Sequence, residues 1–67
     1  MSYREEIGGE LQTIRVQKGM SQRELAEASC VHYSNIAKIE NGRYNVSVDI
    51  LGKVADALGY KLTFERK

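Results

Sequence analysis

The side chains best suited to chemistry on a partner fall in one stretch, "CVHYSNIAKIENGRYN", residues 30–45. Cys30 and His32 are the only cysteine and the only histidine of the chain. A Cys–His nucleophilic pair needs a third group to orient the imidazole, and no side chain stands at a plausible spacing. Zinc takes four ligands, and a single Cys-x-His supplies two. No glycine-rich phosphate loop is present. No catalytic residue, metal or cofactor is therefore expected, and an enzyme is the least supported class. Cys30 is read as a small buried hydrophobe, with a redox role as the lesser alternative.

What remains is hydrogen bonding. At about 100° per residue from Tyr33, Ile36, Ile39 and Glu40 gather on one side of a short helix. Ser34, Ala37 and Lys38 gather on the other, with Tyr33 and Asn35 on the flanks. The outward side carries a cation, hydroxyl and amide groups, a phenol and a methyl, without an acid or a bulky aliphatic residue. Such a face suits the major groove of a duplex, where base edges offer donors and acceptors and phosphates repel carboxylates. Patterning alone favours a plain solvated surface helix, so the surrounding residues must decide.

A chain of 67 residues makes one domain near the lower size limit for a self-supporting core. Helices around one small core are the economical solution, with dimerisation as a further source of stability. With 42% hydrophobic and 28% charged residues the composition is globular. The net charge of +1 is neutral evidence about nucleic acid. Its distribution matters more, because residues 41–48 contain no acid, while Arg43 lies within that stretch and Lys38 close to it. No apolar run is long enough to span a membrane. A lone cysteine makes a reducing, cytoplasmic compartment the expected one.

Four helices are predicted. The first covers residues 3–18, with Ile7, Leu11 and Ile14 as its stripe. Gly8 and Gly9 interrupt it, so this end either frays or packs closely on a neighbour. Gly19 ends it. Ser21 and Glu24 form a capping box for the second helix, whose Leu25 and Ala28 are expected inward and Ala26 at a close contact. The third covers residues 33–41 and stops at Gly42. Ser47 caps the fourth, which buries Val48, Leu51, Val54, Ala55 and Leu58 and ends at Gly59. In the tail "YKLTFERK", Tyr60, Leu62 and Phe64 alternate with polar residues, which predicts a short strand in need of a partner. The expected organisation is a DNA-binding domain at 1–59 and a tail at 60–67 that serves as a possible dimerisation strand.

The phrases "LQTIRVQKGMSQRELA", "IAKIENG" and "SVDILGKVADALG" stand at the intervals of a known family. Over nearly the whole chain the sequence resembles the helix-turn-helix proteins of the phage-repressor and Cro type, the XRE family. The resemblance implies an all-α, compact four-helix lambda-repressor-like domain. It also implies a sequence-specific transcriptional regulator, a repressor in the first instance, that acts as a homodimer on a near-palindromic operator. Tyr33, Ser34 and Lys38 match its base-edge readers, with Asn35 and Ala37 as secondary candidates. Gln22 matches a phosphate contact, as do Asn41, Arg43, Tyr44 and Asn45 in the loop after the third helix. Arg15 and Glu40 match a largely buried ion pair. The chain departs from the family at Cys30, where glycine is usual, at His32, where Ser or Thr usually caps, and at Val46, often proline. Cysteine there implies a strained or altered turn, and His32 is either a poor cap or a phosphate contact. Ile50, Leu62 and Phe64 are the candidate dimer contacts, with a tail folded on its own core as the alternative. A second class remains open, an antitoxin that binds a toxin protein and represses its own operon.

Overall fold

Four helices form where the sequence places them, and all four close at their C-terminal ends in the same way. The computed structural model describes residues 2–67. Helix α1 spans Tyr3–Gln17, α2 Gln22–Ser29, α3 Tyr33–Glu40 and α4 Val48–Ala57. Gly19, Cys30, Gly42 and Gly59 follow them with φ of 70°, 58°, 72° and 81°. In each case the next N–H reaches back five residues: Met20 to the Arg15 carbonyl, Val31 to Ala26, Arg43 to Lys38 and Tyr60 to Ala55. These bonds satisfy carbonyls that a helix end leaves unpaired. Cys30 is the one non-glycine residue of the four, so the turn keeps its left-handed shape and takes the strain, about 1–2 kcal/mol. Buried Val31 locks that turn from the next position. The Cys30 thiol is exposed, not buried as its composition class suggested.

The amino ends are capped as consistently. Ser21 Oγ accepts from the Glu24 N–H at 3.0 Å, and Glu24 Oε1 accepts from the Ser21 N–H at 2.7 Å. The Ser21 backbone N–H, and then its side chain, draw the Glu24 carboxyl below its ordinary range. A depressed carboxylate supports the fold at higher pH and loses that support as acid titrates it. Ser2 and Glu5 repeat the box at α1, a feature the sequence reading passed over. At α4, Ser47 Oγ accepts from the Ile50 N–H.

Helix α3 packs against both α1 and α2, and α2 packs against α4. Leu25, Ile36, Val54 and Leu58 are almost wholly buried at the centre, joined by Leu11, Ala26, Val31 and Ile39. The glycines of α1 resolve into two cases. A Cβ on Gly8 would overlap the Ile39 carbonyl oxygen and crowd that of Glu40, whereas a Cβ on Gly9 would meet open space. The α1 end packs closely on α3 through Gly8, backbone against backbone.

Three expectations change. On α2 the buried face runs from Leu25 through Ser29 to Ala26, about 100° of arc. That phase turns Ala28 outward, and Ser29 donates its hydroxyl to the Leu25 carbonyl at 2.6 Å. Val48 is 74% exposed, because the core ends at half-buried Leu51 one turn later. Residues 60–67 form no strand: among the described residues there is no second extended segment to pair with. Leu62 leans toward α4 at Gly52, and Phe64 stands fully in solvent. No helix of the described residues is long and apolar enough to cross a membrane.

Gly8 and Gly9 provide a paired test. Gly8→Ala should cost about 1–3 kcal/mol through overpacking, while Gly9→Ala should gain about 0.5–1 kcal/mol through helix propensity. Urea unfolding of the two variants reads both signs.

Candidate nucleic-acid interface

The geometry of α3 is set from behind. Ile36 and Ile39 anchor it in the core, and Glu40 fixes its carboxyl end. Glu40 is buried, with a side chain 1% exposed beside Arg15 at 11%. Arg15 Nε donates to Glu40 Oε2 at 2.7 Å and its Nη2 to Oε1 at 3.1 Å, a two-pronged contact. Arg15 Nη1 donates to the Met20 carbonyl at 2.7 Å, which ties the α1–α2 turn into the same group. Gln22 Nε2 donates to Glu40 Oε1 at 3.0 Å. Buried charges survive only when paired and hydrogen-bonded. Here, among the described residues, no buried side-chain nitrogen or oxygen lacks a partner. The one acid of α3 is thus paired within the fold.

Gln22 was read as a phosphate contact, and its amide nitrogen is already engaged with Glu40. Its carbonyl end is an acceptor, so a phosphate contact from this side chain needs the amide nitrogen released or shared.

At the amino end of α3, His32 serves as the cap. Its Nδ1 accepts from the Ser34 N–H at 3.1 Å and lies 2.8 Å from Ser34 Oγ. A backbone N–H can only donate, so the capping nitrogen is unprotonated and the ring proton of the neutral imidazole sits on Nε2. The imidazole does the work that Ser or Thr would do, and it is exposed. Of the two alternatives for His32, the poor cap is the one the geometry removes: it caps effectively, and the cap leaves its Nε2–H unspent.

Ser34 and Lys38 stand exposed on the outer face of α3, Ala37 and Asn35 are half-buried, and Tyr33 is 38% exposed. In the following loop Asn41, Arg43 and Asn45 are exposed. Tyr44 differs from them: its side chain is half-buried and packs against the core cluster. Val46 does the same, replacing the stiffness of a proline by packing. Ile50, a candidate dimer contact, is half-buried and packs on its own core. The Arg23 guanidinium was not anticipated; it lies over the Tyr33 ring, 4.4 Å from the centroid. The contact joins the start of α2 to the start of α3, and a basic residue one turn from a helix break was the available signal. Among the described residues no group of three or more His, Cys, Asp or Glu is placed to hold a metal.

The helix-turn-helix family matches residues 11–64. The immunity repressor protein of Bacillus phage phi105 is 37% identical over 57 residues, covering 85% of this chain and 40% of that protein. The control protein C.BamHI of Bacillus amyloliquefaciens is 42% identical over 54 residues, covering 79% of this chain and 67% of that protein. Among solved structures, the clp gene regulator ClgR of C. glutamicum superposes with a TM-score of 0.88 at 40% identity, over 92% of this chain and 80% of that one. The restriction-modification controller protein C.AhdI of Aeromonas hydrophila gives 0.84 at 34% identity, over 87% and 88%. The chain thus spans less than half of the phage repressor that it matches.

Glu40→Ala leaves Arg15 buried with only the Met20 carbonyl as partner, and should cost about 3–5 kcal/mol. Urea unfolding of that variant measures the loss.

Proposed function

We propose that this chain, which belongs to the XRE-type helix-turn-helix family, is a transcriptional regulator that reads a near-palindromic operator as a homodimer. The observation that carries the reading is the outer face of α3: Ser34, Ala37 and Lys38 on a rod held from behind by Ile36, Ile39 and the Glu40 ion pair. Lys38 can donate to guanine O6 and N7, and Asn35 to adenine N6 and N7 where it reaches. Tyr33 meets a thymine methyl with its ring. In this reading exposed Asn41, Arg43 and Asn45 supply the phosphate clamp, and His32 offers Nε2–H at the other end of the helix. Phosphate contacts position the protein and base contacts give it specificity.

One copy presents too few base contacts to find a site in a genome. Two copies place their α3 helices about 34 Å apart, in successive major grooves. The apolar surface for that association is Leu62 and Phe64 of the tail, joined by exposed Val48 and Ile7. These residues line a common hollow of about 640 Å³, and a second copy would withdraw them from water. An antitoxin activity would have to use the same exposed tail; co-purification of a toxin protein with the chain would favour it.

Selection of bound duplexes from a random pool gives the half-site and its spacing. On the selected duplex Lys38→Ala should weaken binding by roughly 1–3 kcal/mol and relax the preference at one base position. An equal loss on random DNA would make Lys38 a phosphate contact instead. Deleting residues 60–67 should convert the dimer to a monomer in a solution mass measurement, and an unchanged mass would place the interface elsewhere.

A further inference from the structure

Arg23 is the second residue of α2, exposed, and given no role by any consideration above. On an isolated helix it would pair with Glu27 one turn along, since opposite charges four apart attract. It does not: among the described residues the ion pair formed is that of Arg15 with Glu40. Arg23 instead lays its guanidinium over the Tyr33 ring. A guanidinium held over an aromatic face makes its contact through the cation and the ring, so its N–H donors remain available to a further acceptor. Among the described residues none of those donors enters a hydrogen bond. The result is a charged fork over an aromatic ring at the amino end of α2, beside the amino end of α3, with no acceptor of its own.

We propose that Arg23 is a phosphate-binding residue that grips one DNA backbone phosphate with two N–H groups, and that Tyr33 is the platform holding it in place. The proposal rests on the reading of α3 as a DNA-reading helix. In helix-turn-helix docking the first helix of the pair crosses the backbone while the second enters the groove, so an α2 side chain belongs on phosphate. Two-pronged binding of phosphate is the geometry that arginine satisfies and lysine does not. The stack also works in the other direction, fixing the Tyr33 ring at the edge of the groove. Gln22 already spends one of its two amide N–H donors on Glu40, whereas among the described residues none of the Arg23 donors is spent.

Binding is measured on the selected duplex and on a scrambled duplex of equal length, across a range of salt. Arg23→Ala should weaken both complexes by roughly tenfold to a hundredfold, the range for a bond to a charged group. It should also make the salt dependence shallower by about one unit. Arg23→Lys should fall between, and Tyr33→Phe should keep the stack and leave the Arg23 contribution intact. In a Tyr33→Leu background, Arg23→Ala should cost measurably less than in the parent protein. Thermal melting of each variant shows that it is folded. Unchanged affinity and salt slope in Arg23→Ala would overturn the proposal, as would a loss confined to the selected duplex or full additivity with Tyr33→Leu. A parent protein that binds no duplex at all would bring down the functional reading itself, and this proposal with it.

Discussion

A buried carboxylate sits at the end of the helix proposed to read DNA, and the structure depends on how that charge is contained. Glu40 lies on α3 with almost no access to water. Left unpaired it would carry a large desolvation cost, and facing outward it would repel phosphates. Arg15 meets both of its oxygens, and Gln22 adds a third donor. One side chain from each of α1, α2 and α3 therefore meets at a single point. The same arginine reaches the Met20 carbonyl, so the turn into α2 is held too. The angle between α2 and α3 follows from this junction as much as from the apolar core.

The core on its own would locate the helices less sharply. A chain this short buries a limited area, and its central residues are aliphatic side chains that tolerate small shifts. The backbone contact at Gly8 and the left-handed turn at Cys30 remove much of that freedom. Gly8 sets how close α1 comes to α3, and Cys30 with Val31 sets the turn between α2 and α3. Both are places where local propensity is given up for position. The side chains on the outer face of α3 can then be short and sparse, because the scaffold behind them does the orienting.

The fold was legible wherever one residue type has one local use. Gly19, Gly42 and Gly59 marked helix ends, and Ser21 with Glu24 marked a helix start, because few other residues satisfy those backbone groups. The outward positions of Ser34 and Lys38 followed from periodicity alone. Errors arose where phase or tertiary context decides. Ala28 and Ser29 are neighbours on one helix, and only the position of the neighbouring helices shows which turns inward. Val48 continued an apolar stripe past the point where there was core to cover. The alternating tail read as a strand, but a strand exists only with a partner. His32 stayed open between a poor cap and a phosphate contact, because an imidazole nitrogen is seldom considered in the capping role. The sequence offered no more than a basic residue near a helix break as a hint of the Arg23–Tyr33 contact, since its members lie on different helices and meet only across the turn.

Through-space magnetisation transfer between the protein and a selected duplex, observed by NMR in solution, tests the central claim most directly. The account predicts contacts from Tyr33, Ser34, Ala37 and Lys38 side-chain protons to base protons in the major groove. It would be contradicted by a bound duplex that contacts α1 or α4 while the outer face of α3 stays silent.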